Sequence, residues 1–211
     1  MKILNLYAGI GGNRKLWGDT HQVTAVEFDP KIAAKYKEFF PNDTVVVADA
    51  HQYLLDHYSE FDLIWTSPPC QTHTRMNIAN QLSPYKDNTR QLRQGGGIVP
   101  RYPKMELYQE IIFLQHFFKG FYVVENVVSY YKPLIEPIKL NGHYFWANFP
   151  ISHMESVGRG MGKGSTSRTL AQHKGFDWDS LNGLDKELVL RNCVEPIVAK
   201  HIIDNLEQHI K

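Results

Sequence analysis

The stretch FDLIWTSPPCQ, residues 61–71, decides the fold. Five of its first six residues, all but Asp62, are apolar or β-prone, and the six read as a buried strand over 61–66. Pro68 and Pro69 then fix two φ angles and withhold two backbone donors, so the strand runs into a stiff turn. The turn delivers Cys70 at the strand's carboxyl end, which is where open α/β sheets bind and react their ligands. A thiol held in one place there is a candidate nucleophile. The same residue type also serves as a small buried apolar group, so the role of Cys70 depends on what else reaches that end of the sheet.

Upstream, residues 2–7 (KILNLY) read as a strand that ends at Ala8-Gly9-Ile10-Gly11-Gly12, with residues 13–17 placed to open a helix. Glycines at 9, 11 and 12 let the backbone approach a ligand closely and leave amides pointing at it. A second strand over 22–27 (QVTAVE) ends in Glu27-Phe28-Asp29 and is followed by a helix capped at Asp29 with Pro30 in its first position. An acid at that distance from a glycine turn is placed to accept hydrogen bonds from ribose hydroxyls. Residues 44–48 (TVVVA) make a third strand, ending at Asp49. Helix capping is the other role open to Glu27 and Asp49.

Downstream, the regular pattern fails between 72 and 103. That stretch holds Arg75, Lys86, Arg90, Arg93 and Arg101, with Lys104 at its edge, against the single acid Asp87, and contains Gly95-Gly96-Gly97. Next to a nucleophile, a basic flap with a glycine hinge suits a phosphate-bearing substrate; a solvated loop is the alternative. Residues 104–118 read as an amphipathic helix with Met105, Tyr108, Ile111, Ile112 and Phe118 on its core face. A fifth strand, apolar over 121–124, ends at Glu125-Asn126-Val127. A carboxylate at the end of such a strand is costly unless paired or used, since desolvation favours its protonated form. Residues 138–151 contain the aromatic strand HYFWANF. From 152 to 175 the chain turns polar and glycine-rich, with Arg159, Lys163, Arg168 and Lys174 against Glu155, and reads as a polyanion-contact loop or a plain surface linker. A last helix is expected over 191–210, capped by Asn192, with Val194, Ile197, Val198, Ile202 and Leu206 facing inward.

The 211 residues suit one buried domain with a small appendage, and 43% hydrophobic with 21% charged residues is a globular composition. No stretch has the length of apolar residues that a membrane span needs, and none reads as a signal peptide. Cys70 and Cys193 are too few for a disulfide framework and too far apart in sequence for a metal pair, which suits a reducing, cytoplasmic setting and no metal. With a net charge of +1 there is no global basic field, so nucleic-acid binding has to come from local clusters of Lys and Arg.

Taken together, YAGIGG at 7–12, EFD at 27–29, PPCQ at 68–71, ENV at 125–127 and RNCVEPIVA at 191–199 resemble the DNA (cytosine-5)-methyltransferase family, in that family's order. The resemblance implies a Rossmann-like methyltransferase fold, with a mostly parallel central sheet and helices on both faces. It implies a catalytic domain over 1–150 and 186–211 and a reduced target-recognition region over 151–185. The implied cofactor is S-adenosylmethionine, with Tyr7, Ala8, Gly9 and Gly11 along its methionine part, Glu27 on its ribose, Phe28 stacked on its adenine and Asp49 at the adenine amino group. Ile10, Gly12, Ala50 and Pro68 belong to the same implied pocket, and Asn192 and Val194 match the family's last motif, which returns to it. The implied chemistry is attack of Cys70 on carbon 6 of a flipped cytosine, with Glu125 at nitrogen 3 and methyl transfer to carbon 5. Gln71, Arg75, Arg90, Arg93, Arg101, Asn126, Arg159, Lys163 and Arg168 are the expected DNA contacts.

Two departures stand out. Asn141 and His143 occupy the place of the family's arginine pair, leaving His143 to donate to the ring carbonyl. The recognition insertion is only some forty residues long. Sequence recognition is then relaxed, short, or delegated to a second protein chain. Restriction protection and phage genome marking both fit. An amino-group methyltransferase with an SPPY-type turn, a cytosine methyltransferase acting on RNA and an inactive binding subunit are the competing readings.

Overall fold

A computed structural model describes residues 1–74, 102–158 and 166–210. Five strands alternate with helices in the first two thirds of the chain: β1 Lys2–Leu6, β2 Gln22–Glu27, β3 Thr44–Val47, β4 Leu63–Thr66 and β5 Phe121–Val127. The helices are α1 Pro30–Phe39, α2 Ala50–His57 and α3 Glu106–Phe117. A hairpin follows, β6 Ile138–Leu140 and β7 His143–Ala147, and then α4 Ser167–His173, α5 Lys186–Arg191 and α6 Pro196–Ile210. The strands form one seven-stranded sheet in the order β3-β2-β1-β4-β5-β7-β6. The pairs among β1 to β5 are parallel, and β7 runs antiparallel to both β5 and β6. This is the doubly wound, Rossmann-like arrangement that the resemblance implied.

Alternation along the strands explains the layers. Ile3, Val23, Leu63, Trp65, Val123 and Phe145 pack on one face with Val198, Ile202 and Leu206 of α6. Leu4, Leu6, Val26, Ile64, Val124 and Trp146 pack on the other, with Leu54 of α2 and Leu107, Ile111 and Leu114 of α3. Ala33 and Tyr36 are the buried residues of α1, and Tyr36 packs against Ala8 and Ala25. A strand buried on both faces has no polar side to spare, which is why β4 and the start of β5 read as apolar runs.

Several boundaries differ from the expectations, each for a local reason. Residues 13–17 make one turn of 3-10 helix, Arg14–Leu16, rather than an α-helix. The turn is fixed instead by polar pairing: buried Asn5 and Asn13 exchange side-chain hydrogen bonds, and Arg14 is locked to Asp43 through Nε at 2.8 Å and Nη2 at 3.0 Å. Strand β5 does not stop at Val124; its pairing with β7 carries Glu125, Asn126 and Val127 opposite Phe145, Tyr144 and His143. The aromatic strand over 138–151 is a hairpin closed by Asn141 and Gly142, both in the left-handed region at φ 44° and 74°. An Asn-Gly pair tolerates that turn without the steric cost other residues meet. Ile112 and Ile197, expected in the core, are 49% and 47% exposed; Leu107, Glu110 and Leu114 take the inward positions on α3. Asn192 does not cap the last helix. It is the C-cap of α5, its backbone N–H donating to Leu188 O, and α6 begins at Pro196.

Between 166 and 191 the chain is less open than its polar composition suggested. Thr166 caps α4 through a reciprocal pair with Thr169. Leu170, Ala171, Phe176, Leu181, Val189 and Leu190 gather around Ile10 of the glycine turn, with Ile32 and Phe39 of α1 against them. Among the described residues no helix is long and apolar enough to cross a membrane.

Candidate active site

In this sheet the chain winds one way from β1 to β3 and the other way from β4 onward, so a crevice opens beyond the carboxyl ends of β1 and β4. The glycine turn enters it from β1 and the Pro-Pro-Cys turn from β4. Tyr7 and Gly9 are both at φ 54°, a conformation that a side chain opposes and glycine accepts. At Gly9 the space where a β-carbon would stand is open, with nothing within 4 Å, so a ligand can lie against the backbone. Glu27 holds the turn, its Oε2 accepting from Gly9 N at 2.9 Å and its Oε1 from Asp29 N at 3.0 Å. Gly12 serves close packing instead: a β-carbon there would stand 2.1 Å from Cys193 Sγ and 2.6 Å from Val194 O.

The second turn is pinned from beneath. Asn126 Nδ2 donates to Pro68 O at 3.0 Å, and Trp65 Nε1 donates to Ser67 Oγ at 3.2 Å. Past Cys70 the chain doubles back, with His73 N and Thr74 N donating to Cys70 O at 2.9 and 3.1 Å. Burial pushes the Cys70 thiol up to about 11, and the nearby Glu125 carboxylate adds to the effect. Glu125 is 8% exposed, and its carboxyl is likewise raised by burial, against the pull of His143 and a hydrogen bond from Ser67. His143 lies opposite Val127 on β7, one diagonal step from Glu125, which brings its Nε2 to 3.9 Å from Glu125 Oε1.

These groups meet in one cavity of about 210 Å³, room for a ligand rather than bridging water alone. Tyr7, Ala8, Gly9 and Gly12 line it from the first turn, with Glu27 beside them. Pro68, Cys70 and Gln71 line it from the second, and Glu125 and His143 from β5 and β7. Asn192 and Val194 close the far wall. That wall is clamped: Glu195 pairs with His173 Nε2 at 2.8 Å and Lys174 Nζ at 3.2 Å, and Lys174 also donates to Cys193 O.

Other expected site residues lie elsewhere. Ile10 is buried in the cluster under α4 and α5, and Gly11 abuts Phe40 and Tyr36, so neither lines the cavity. Ala50 is in the core, and Asp49 caps α2 through Gln52 N at 2.9 Å. Phe28 projects outward from the Glu27 edge, 75% exposed. Asn126, expected to face DNA, is 1% exposed and spends its amide on Pro68, because continued β-pairing turns it inward. Arg168 is exposed on α4, away from the cavity. Arg75, Arg90, Arg93, Arg101, Arg159 and Lys163 lie outside the described residues. The cavity also uses residues that the sequence reading passed over: Asn13, Ile32, Val127, Leu188, Arg191 and Cys193. Of these, Asn13 follows the glycine turn and Val127, Arg191 and Cys193 stand inside the ENV and RNCVEPIVA stretches, whereas Ile32 and Leu188 carried no local signal. Among the described residues no group of His, Cys, Asp or Glu is arranged to hold a metal ion.

Residues 1–84 match the model of the C-5 cytosine-specific DNA methylase family. The tRNA (cytosine(38)-C(5))-methyltransferase of Rattus norvegicus is 29% identical over 95 residues, covering 42% of this chain and 24% of that protein. Its counterpart in Mus musculus is 28% identical over 89 residues, covering 39% and 21%. The matched stretch thus spans less than a quarter of these curated relatives. Among solved structures, a triple mutant of Spodoptera frugiperda DNMT2 is 27% identical, covers 60% of this chain and 35% of that one, and has a TM-score of 0.37. S-adenosylmethionine is the methyl donor of C-5 cytosine methylases. The crevice fits that group on its own geometry, with open backbone at Gly9 and a carboxylate at the end of β2. From the glycine turn through the Pro-Pro-Cys turn, residues 1–84 are thus similar to the C-5 cytosine-specific DNA methylase family.

Proposed function

We propose that this protein transfers the methyl group of S-adenosylmethionine to carbon 5 of cytosine in DNA, through a covalent bond between Cys70 and the base. The observation that carries the reading is the meeting of Cys70, Glu125 and His143 in the same cavity as the glycine turn and Glu27. In this reading Tyr7, Ala8 and Gly9 hold the methionine part of the cofactor and Glu27 its ribose, while exposed Phe28 offers its ring to the adenine. Asn192 and Val194 form the opposite wall. Bound there, the sulfonium supplies an electrophilic methyl group.

The rest falls to the chain's own residues. Cys70 loses its proton and its thiolate adds to carbon 6 of the base. The displaced π electrons move toward nitrogen 3, where protonated Glu125 donates. Carbon 5 is then an enamine carbon and takes the methyl. The carbon-5 proton leaves to solvent, its electrons restore the ring double bond as the sulfur–carbon-6 bond breaks and Cys70 departs as thiolate, and nitrogen 3 returns its proton to Glu125. Burial raises the Glu125 carboxyl, which favours the protonated form that nitrogen 3 needs. His143, 28% exposed beside Glu125, donates to the ring carbonyl. A base paired in a duplex cannot reach this cavity, so the target is flipped out.

A second reading keeps every atom and changes the polymer. The two curated relatives are named as tRNA methyltransferases, which favours cytosine in RNA as the alternative substrate. Sequence choice falls to the segment before α5 or to a second protein chain. Incubation with S-adenosylmethionine and oligonucleotides carrying 5-fluorocytosine, in DNA and in RNA, tests both. Fluorine cannot leave as a cation, so the adduct persists, and mass spectrometry is expected to find it on Cys70 with one polymer. No adduct on Cys70 with either overturns the proposal.

A further inference from the structure

Among the described residues, the most deeply buried carboxylate that the mechanism does not use belongs to Glu110. Glu110, on the inward face of α3, is 0% exposed, and its two oxygens collect three donors from three different parts of the sheet's carboxyl edge. Oε1 accepts from Tyr7 OH at 2.6 Å and faces His51 Nδ1 at 3.1 Å; Oε2 accepts from Thr66 Oγ1 at 2.7 Å. Two of the partners, Tyr7 and Thr66, lead straight to turns that line the cavity. Tyr7 opens the glycine turn in its φ 54° conformation. Thr66 is the last residue of β4 before the Pro-Pro-Cys turn, and His51 follows Asp49 on the first turn of α2.

A non-glycine residue holds a left-handed backbone only when its surroundings over-determine it. Glu27 holds the turn's backbone at Gly9, and the Glu110 bond anchors the Tyr7 side chain, which packs against core residues. We infer that Glu110 is a positioning residue that holds the cofactor turn in its strained shape and ties it to the turn bearing Cys70, with His51 as the titrating third partner. The inference rests on the methyl-transfer reading above, because it treats the Tyr7 turn as the cofactor's seat. Three charge-assisted bonds on one carboxylate lock two loops together in a way that neutral pairs do not. The charged and titratable groups around His51 are Glu110 and Glu106 on α3 and Asp49 at the head of α2, and the same three act on Tyr7. All three are acids, and the Glu110 bond is the largest cause raising the His51 pKa. His51 is therefore charged, and the lock complete, below that raised value; the lock weakens as the pH rises through it.

Calorimetric binding of S-adenosylhomocysteine to the full chain, at about pH 6 and about pH 8.5, tests this on wild type and on Glu110→Gln, Tyr7→Phe and His51→Gln. Wild type is expected to bind several-fold more weakly at the higher pH. Glu110→Gln and Tyr7→Phe are expected to weaken binding by about tenfold at the lower pH, as loss of a charge-assisted bond predicts. Glu110→Gln and His51→Gln are expected to flatten the pH dependence. A merely structural role for Glu110 lowers the melting temperature but leaves the pH dependence of affinity in place. Wild-type affinity and pH dependence in Glu110→Gln overturn the inference; if that variant fails to fold, the same result in both Tyr7→Phe and His51→Gln does so. A wild-type chain that binds no S-adenosylhomocysteine defeats the methyl-transfer reading itself.

Discussion

Cys70 should be unreactive until a base enters. Its thiol is pushed from an ordinary value of 9.0 up to about 11, by burial first and by the Glu125 charge second. Each pH unit is a factor of ten in the ionised fraction, so near neutral pH the resting chain holds about a hundredfold less thiolate at Cys70 than an unperturbed cysteine does. Alkylation follows the thiolate. With iodoacetamide, the rate at Cys70 is therefore expected to climb tenfold per pH unit through the neutral range and to level off only near about pH 11. Glu125→Gln removes the second cause and leaves the first, so its midpoint is expected to fall while staying above 9.0. Cys193 supplies an internal control. It is also raised to about 11, by burial first, but Glu195, Lys174 and Lys15 are the charges acting on it, so Glu125→Gln is expected to leave it unmoved. Quantifying both alkylated peptides by mass spectrometry across the pH series reads the two sites in one sample. A Cys70 midpoint at or below 9.0, or one that Glu125→Gln does not lower, refutes the argument that burial and Glu125 together keep the nucleophile protonated.

Other positions give independent checks. Gly12→Ala forces a β-carbon against Cys193 Sγ and Val194 O and is expected to cost about 1–3 kcal/mol in urea unfolding, with weaker cofactor binding; adding Cys193→Ala restores only part, because the Val194 carbonyl remains. Asn126→Ala removes the prop under Pro68 and is expected to lose about 1–2 kcal/mol of stability and to lower kcat more than it raises the cofactor KM. An equal effect on both constants would mean that the Pro-Pro-Cys turn does not depend on it. Arg14→Leu leaves Asp43 buried with its guanidinium partner gone, and a loss of about 3–5 kcal/mol is expected in thermal or denaturant unfolding.

Local signals carried much of the fold. Strand β2 and helix α1, with the Asp29 cap and Pro30 at its first position, stand where the sequence reading puts them, since a cap and a proline act within one turn of the residues that carry them. The hairpin at Asn141-Gly142 had an equally local signal, hidden behind the aromatic run that follows it. The cap at Asn192 was ambiguous, because an asparagine between two helical stretches can end one or begin the next. Glu110 gave no signal: in a helix pattern an acid reads as the solvent side, and only the meeting of α3 with Tyr7, His51 and Thr66 turns it inward.

By itself, the order of residues dictated the glycine turn, the rigid delivery of Cys70 and the alternation that builds a sheet with two buried faces. These depend on φ restrictions, missing donors and side-chain period, all set by neighbours in the chain. Only the tertiary structure decided that Glu125 and His143 share a cavity with Cys70, that Asn126 props the turn instead of meeting a ligand, and that Cys193 and Val194 press on Gly12. Those contacts follow from strand order and from which apolar faces close on each other, and burial, summed over the whole molecule, sets both.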